Sequence, residues 1–577
     1  MSLPEQKGTE PARALRQFLE AACFERLATC QVNPEGRDRA VLTLGQTRFH
    51  LSMTQGAFGR PRIDRAIPVR IGDASGRAAR IGDIGKVLEQ VAGINPDVRN
   101  HFMTRLCDTD RNWRMILPAM AARSRRGLAS MALDSLLFEG HPYHPLFCAR
   151  SGWSDLDRRE FAPEFQAAIR PVWLQIDARL CHVECAEAPA DWSEWQAVAG
   201  AGTVAVPLHP WQFRHLRDAS ALSVWLDRGQ ARLLGEGAIY QPSQSLRTLF
   251  SPISPAGPHL KLPLSVAASS SLRDLEPNTI RVAPSISNWL RRIIDSDPEF
   301  SALGFRIQRE FAAIDVDRGG PLQGRLGAIW RESPDALADP GETLLPFNAL
   351  YASEADGRPL LDREIRAIGP GSWLDALIRH AVLPVWHLLI AHGVAIEAHG
   401  QNLMLRLRAG RITGLIARDF HESLEYVPGA GAKGSEPFPA LDRLDPVFRD
   451  APDGQFHRMA NTAELSALFT DSLFVFNLAE FSALLARVYG FHEARFWRRV
   501  AGSLRDHAAR LGLGGVAAHY PVFAPTLEVE PLLRAALGHL PETPLMVANP
   551  LAPNAAPESP ARRVTDQDPF GEISCFM

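Results

Sequence analysis

Cysteine is scarce in this chain: there are seven in 577 residues, an odd number and widely scattered. That excludes a disulfide framework and fits reduced thiols in a cytoplasm. The closest pair, Cys181 and Cys185 with His182 between them, sits in a stretch that reads as strand. No second ligand cluster lies nearby in sequence, so the pair is not read as a metal site. Long blocks of like charge are also missing, and the formal net charge is -3. Nothing therefore points to nucleic acid or to an anionic membrane as partner. No apolar run is expected to reach the length of a membrane span. The first residues are polar and lack the apolar core of a signal peptide. The Gly-rich stretch 427–437 does not have the GxxxxGK[ST] order of a P-loop, so it is given no phosphate role. No Cys or Ser occupies a nucleophile motif, and no repeat at solenoid periods is found. What remains is a soluble globular protein, 46% hydrophobic and 22% charged, large enough for about two to four domains.

The stretch 396–420, IEAHGQNLMLRLRAGRITGLIARDF, organises the rest. Leu403, Leu405 and Leu407 alternate with Met404, Arg406 and Arg408, which is a strand pattern. Ala409 and Gly410 make the turn, and Ile412, Gly414 and Ile416 alternate again. A hairpin of this length returns Asp419 to the neighbourhood of His399 and Asn402. An Asn and an Asp brought together beside a His and a Glu, here Glu397, can hold a divalent cation and through it a polyphosphate. The other reading of the same residues is a hairpin with merely solvated polar ends.

Upstream, the spacing predicts an amphipathic helix over 12–26, strands over 41–51, a helix over 84–92 and a long helix over 115–138 that stops at Gly140. GHPYHPLFCARSGWS follows, residues 140–154. Two His-Pro pairs keep this loop extended, so His141, His144 and Arg150 could face an anion; otherwise the histidines brace a rigid turn. His209, in VPLHPWQ, reads as structural support at a junction. Residues 240–281 carry Ser245, Arg247 and Thr248, then His259, Lys261, Pro263 and Ser265 alternating with leucines. That is read as one half-buried strand with Lys261 on its polar face; Pro263 suggests an edge or a bulge. Ser269, Ser270 and Ser271 lead to Arg273. Hydroxyls, one Lys and two Arg make an anion cradle, since charge-assisted bonds from Arg are strong; the alternative is an ordinary solvated face. A helix over 286–295, strands near Phe311 and Ala328 and a boundary over 333–341 are expected. From Ser372 a helix runs to Gly393, kinked at Pro384, with His380, His387 and His392 as packing residues. Helices follow to about residue 510, and residues past Pro553 read as disordered.

GHPYHPLFCARSG, VPLHPWQ, SLRT, HLKLPL followed by SSSLR, EAHGQNL and ARDF stand in one order. That order resembles the NRPS-independent siderophore synthetases of the IucA/IucC (aerobactin synthetase) type. The resemblance covers about residues 135–425, and Asn549 to Leu551 is similar to the family's C-terminal end. It implies a mixed α+β fold shaped as a cupped hand, with the ATP cleft between fingers and palm. The division would be a helix-rich thumb (1–150), β-rich fingers (151–340) and a palm (341–577). It implies an enzyme that uses ATP and Mg²⁺ to adenylate citrate or a related polycarboxylic acid. An amine or hydroxyl nucleophile would then displace AMP, forming an amide or ester.

By motif, Ser245, Arg247, Thr248, Lys261, His399, Asn402 and Asp419 would hold ATP. Glu397, Asn402 and Asp419 would lie by the metal. His141, His144, Arg150, Ser269, Arg273, His399 and Gln401 would contact the carboxylate substrate, with Arg273, His399 and Lys261 as catalytic groups. Cations offset the repulsion between a carboxylate and a phosphate, and one cleft removes much of the entropic barrier. The family is commonly a homodimer with small-molecule partners, in the cytoplasm. The chain departs from the family twice. Cys148 stands where Lys is usual, and VEPLLRAALGHL replaces a basic KxLLxMRL-like segment, keeping only Arg534. A less anionic or differently shaped substrate would account for both. Two other functions stay open: a kinase-like phosphotransferase, for which no Gly-rich lid is found, and a non-catalytic binding relative of the synthetases.

Overall fold

The structure, a computed structural model, describes residues 12–32, 39–121, 123–218, 221–269, 272–433 and 436–553. Ser270, Ser271 and the whole stretch past Pro553 lie outside the described residues. Helices and strands are mixed along the chain. One apolar core takes in residues from Ala14 to Ala149 and again from Val282 to Leu551. A second takes in residues from Trp153 to Trp330. The N-terminal helices thus pack directly on the C-terminal half. Arg60 donates to the carbonyl of Val475 at 2.7 Å, and Glu25 accepts the backbone N–H groups of Leu533 and Arg534.

Two sheets position the site. In the six-stranded sheet the order is Gln241–Pro242, Thr248–Phe250, His259–Lys261, Gly327–Arg331, Glu310–Val316 and Cys181–Cys185. In the four-stranded sheet it is Phe305–Ile307, Arg411–Ala417, Leu403–Arg408 and Thr343–Pro346. The hairpin expected from the sequence is the centre of the second sheet. Ala409 and Gly410 take φ of 50° and 76°, the pair of positive values that a two-residue turn needs to match strand twist.

Several expectations need correction. Residues 259–266 are not one strand. His259–Lys261 ends at Leu262, and Leu264–Ala267 pairs with Leu272–Arg273 in a separate sheet. Pro263 has no N–H to carry the ladder onward. Lys261 is 1% exposed rather than on a polar face. The helix expected over 115–138 is two: Pro96–Ala121 and Ser130–Asp134. Between them Gly127 takes φ +85° and Arg125 turns inward to Glu139 and Glu354. In the segment 333–341 Asp339 pairs with Arg306 at 2.8 Å, and nearby Glu342 pairs with Arg406 at 2.8 Å.

The helix ahead of the hairpin runs Pro370–Leu377, then a π-helical stretch Ile378–Val382, then Leu383–His392. Pro384 cannot donate, and the ladder widens just before it. His387 and His392 are not apolar packing: both place Nε2 2.9 Å from Asp297 Oδ2, which Lys433 also meets at 2.6 Å. Two helical runs, Pro370–His392 and Thr462–Tyr489, are long and apolar enough to cross a membrane, contrary to expectation, but 72% and 78% of their apolar windows are buried inside the protein. They are core helices, apolar because they are enclosed.

Candidate active site

The ends of the two sheets meet around Asp419. The strand Arg411–Ala417 delivers Arg418 and then Asp419, whose φ of +73° turns its carboxylate back toward the six-stranded sheet. Asp is among the few residues that tolerate this left-handed conformation. Lys261 donates to Asp419 Oδ1 at 2.9 Å and Arg331 donates to the same oxygen at 2.7 Å. Arg331 also donates to Glu310 at 2.9 Å, and His421 Nδ1 stands 2.7 Å from that carboxylate. Burial alone would raise the Asp419 pKa, but Arg331, Lys261 and His421 hold it well below the usual carboxylate range. Burial, then the neighbouring Arg247, pushes Lys261 down to about 8, against the pull of Asp419. Burial would neutralise His421, yet Glu310 raises it above the ordinary imidazole value.

Ser245, Arg247 and Thr248 form a tight turn at the rim of the six-stranded sheet. Leu246 takes φ +69°, and the Ser245 hydroxyl accepts the Thr248 N–H at 3.2 Å. Arg247 donates to the carbonyls of Arg273 and Asp274 and stands 3.5 Å from Glu422. Arg273 is lowered to about 10 by burial and by Arg247, and its field includes Glu422, Asp419 and Glu397. Its Nε and the Thr248 hydroxyl are buried with no hydrogen-bond partner among the described residues. Such orphans are expected where a polar ligand completes a site.

On the opposite side, residues 397–402 fold into a self-bonded turn. Asn402 donates from its side chain to the Glu397 carbonyl at 3.1 Å, and the Gln401 N–H donates to His399 Nδ1 at 3.1 Å. The Arg418 N–H donates to the Asn402 carbonyl at 2.9 Å, which brings Asp419 back to this turn. Among the described residues the Glu397 carboxylate meets only His399, at 3.8 Å. All protein bonds to Asp419 go to Oδ1, leaving Oδ2 without a donor among the described residues. Free carboxylate oxygens beside an Asn suit Mg²⁺, a hard cation that prefers oxygen. Lys261, Arg247 and Arg273 suit the phosphates of ATP.

The loop 140–154 braces more than it binds. His141 Nδ1 accepts the N–H groups of Tyr143 and His144, and His144 Nδ1 accepts that of Leu146. Burial, then His144 and His399, keeps His141 neutral, so it stands close to His399. Burial pushes His144 down to about 3. Arg150 pairs through Nη2 with Glu164 at 2.5 Å, while its Nη1 is buried with no hydrogen-bond partner among the described residues. Cys148 is buried and pushed up to about 12, chiefly by burial. It belongs to the main apolar core, where its thiol donates to the Thr109 carbonyl at 3.4 Å. Ser269 is half-buried at the mouth, its carbonyl held by Arg105 at 2.9 Å. His209 caps a helix by accepting the Trp211 N–H, and Gln212 ties that helix to Ser265 at 2.9 Å.

The sequence reading missed Glu310, Arg331, His421 and Glu422. The one available signal was the His-Glu pair directly after the RDF motif. Glu310 and Arg331 are cross-strand partners, a relation visible only once the strands are paired.

Residues 129–352 match the family model described as IucA / IucC family, and residues 371–543 match that of the ferric iron reductase FhuF-like transporter. The citryl-spermidine/3,4-dihydroxybenzoyl-citryl-spermidine:spermidine ligase of Bacillus anthracis is 28% identical, over 86% of this chain and 85% of its own length. The aerobactin synthase of Escherichia coli is 29% identical, over 82% of this chain and 84% of its own. The crystal structure of the petrobactin biosynthesis protein AsbB from Bacillus anthracis superposes with a TM-score of 0.85 at 26% identity, covering 94% of this chain and 95% of the other. With its motifs in order, a match at residues 129–352 and relatives aligned over most of their length, the chain is similar to the IucA / IucC family.

Proposed function

We propose that the protein is an ATP-dependent siderophore synthetase. It activates a carboxylate of citrate or a citrate-like acid as an acyl-adenylate and joins it to an amine or hydroxyl nucleophile, releasing AMP and pyrophosphate. The observation that carries this reading is the convergence of Lys261 and Arg331 on Asp419, beside Arg247 and Arg273. Two anions can meet there only because fixed cations offset their repulsion, and fixed donors need no reorganisation during reaction. Lys261 and Arg247 would hold the phosphates, with Ser245, Thr248 and Asn402 completing the nucleotide site. Arg273, with Ser269, His141, His144 and Gln401, would orient the acid. Arg150, already engaged by Glu164, would act by shaping the loop. His399, between Glu397 and His141, would steady the developing charge. Mg²⁺, when bound by Glu397, Asn402 and Asp419, would supply Lewis-acid neutralisation of the phosphates.

The far wall favours an amine as nucleophile. Glu425 is pushed up to about 7 by burial, then Glu464 and Glu397; Asp471 is pushed up to about 8 by burial, with Glu530 and Glu528 adding to it. Among the described residues no Lys or Arg pairs with Glu425, Asp471 or Glu530. A cationic amine relieves such repulsion. The Bacillus anthracis relative is named a ligase of spermidine. The division into thumb, fingers and palm, a cytoplasmic location and a homodimer belong to the same proposal.

The test is nucleotide turnover with citrate, 2-oxoglutarate and citryl-type acids, each paired with candidate amines including spermidine. Pyrophosphate and AMP are expected. ADP would mean phosphotransfer, and no turnover with any pair would favour a binding protein. Arg273→Ala is expected to abolish turnover and leave the fold intact; normal turnover in that variant would reject the site.

A further inference from the structure

The backbone of Ala398, between Glu397 and His399, is held through both its N–H and its carbonyl by one helical run. Ala398 is fully buried. Its N–H donates to Ser472 Oγ at 3.0 Å, and its carbonyl accepts from Asn477 Nδ2 at 3.2 Å. Both partners lie in the π-helical stretch Thr470–Leu478, set between the helices Thr462–Phe469 and Ala479–Tyr489. In an α-helix of 3.6 residues per turn, positions five apart face well away from each other. A ladder of i→i+5 bonds brings them to one face, and such stretches are frequent at functional sites. The widened turn is therefore what lets Ser472 and Asn477 reach the two peptide groups of one residue, Ala398.

The arrangement is not optimised for stability. Asn477 is 1% exposed and its Oδ1 has no partner among the described residues, which costs folding free energy. Ser472 also donates to the Leu468 carbonyl at 2.6 Å, so its hydroxyl is fixed as an acceptor for Ala398. The same stretch reaches the His-Pro loop: Phe476 packs on Tyr143 at 4.9 Å and on His141 at 6.2 Å between ring centroids.

We infer that Ser472 and Asn477 are positioning residues, which clamp Ala398 so that the flanking Glu397 and His399 are held in register with Asp419. The inference rests on the proposed reading of Glu397 and His399 as site residues. The clamp touches neither Lys261 nor Arg247, so it should govern the rate of reaction more than the hold on nucleotide.

The experiment compares Ser472→Ala, Ser472→Thr and Asn477→Leu with wild type. Displacement of a reacting group by about 1 Å can cost on the order of 100-fold in rate. The expected result is a kcat lowered by roughly tenfold or more in Ser472→Ala and Asn477→Leu, with the KM for ATP changed less than about threefold. Ser472→Thr, which keeps the hydroxyl, should recover most of the rate. Asn477→Leu removes the orphaned oxygen but leaves the Ala398 carbonyl unpaired, so its melting temperature is measured beside its kcat and rescue by Ser472→Thr separates positioning from stability. Equal kcat in all four proteins would overturn the inference, as would a loss that follows melting temperature and is not restored by Thr. Crystal structures of the variants decide the matter even if wild type proves inactive with every acid tested. A shifted Glu397 carboxylate and His399 ring would support the clamp; unmoved positions would overturn it.

Discussion

At the scale of single residues, the centre of the molecule is a buried charge network rather than one ion pair. Glu310 is fully buried and shared between Arg331 and His421, while Asp419 is shared between Arg331 and Lys261. Arg331 hydrogen-bonds to both carboxylates, and His421 Nδ1 stands 2.7 Å from Glu310 and 3.3 Å from Asp419. Arg331→Met is therefore expected to destabilise the protein by about 3 kcal/mol or more, because it leaves buried charge uncompensated. Adding Glu310→Gln should return at least about 1 kcal/mol, since the two sites act on one another. Urea melts of the two single variants, the double variant and wild type measure the coupling. Simple additivity would show that Glu310 and Arg331 do not share a network. Lys261, Arg247, Arg273 and Asp419 were legible in the sequence because each stands in a motif with hydroxyls or polar neighbours. Glu310 and Arg331 were not, because a lone charge at the end of an apolar strand reads as a surface residue until its cross-strand partner is known.

At the scale of elements, the turn 397–402 is fitted against the segment Phe347–Leu350 with no room to spare. A Cβ on Gly400 would stand 1.9 Å from Asn348 Oδ1 and 2.9 Å from the Tyr351 hydroxyl. Asn348 is held in place by the Tyr351 hydroxyl, which donates to it. Gly400→Ala should therefore push the turn out of register, costing about 1–3 kcal/mol by overpacking and lowering pyrophosphate release by roughly tenfold or more. Gly400→Ala combined with Asn348→Ala reopens the space and should restore part of both. Melting curves and turnover of the three proteins test this, and a fully active Gly400→Ala would show that the turn has slack. The hairpin behind this turn was readable because period-two alternation and Ala409–Gly410 agree on one structure. The two π-helical stretches were not readable, since their apolar spacing is that of any core helix. The split at Pro263 was signalled only as an edge or a bulge: the missing N–H is visible, but the sheet that the next strand joins is not.

At the scale of the whole molecule, six motifs in order made the family and the mixed fold class legible. The joining of residues 14–149 and 282–551 in one apolar core was not, because packing between distant segments leaves no local period. That enclosed architecture also sets how the protein should respond to acid. Burial pushes His144, His209 and His259 down to about 3, and His457 and His507 down to about 4. These groups lie in both cores or at their edges, and they stay neutral in the folded protein at pH values where an unfolded imidazole, near 6.5, takes up a proton. Unfolding then binds protons, so their contribution is fully present above about pH 6.5 and is lost as pH falls toward 4. Glu25 and Glu425, each raised to about 7, and Asp471, raised to about 8, act in the opposite direction. They are protonated when folded and ionised when unfolded near pH 5.5, which favours the folded state as acid is added. Each fully shifted group is worth up to about 1.4 kcal/mol per pH unit. Five histidines against three carboxyls leave roughly 2–3 kcal/mol per pH unit of net loss near pH 5.5. The melting temperature should therefore fall steadily from about pH 6.5 to 4.5. His209→Asn keeps an acceptor for the Trp211 N–H and removes one titrating group, so its curve should be shallower than wild type and converge with it in acid. Calorimetry across that range measures both slopes; a flat wild-type curve would mean that the buried histidines can be protonated without unfolding.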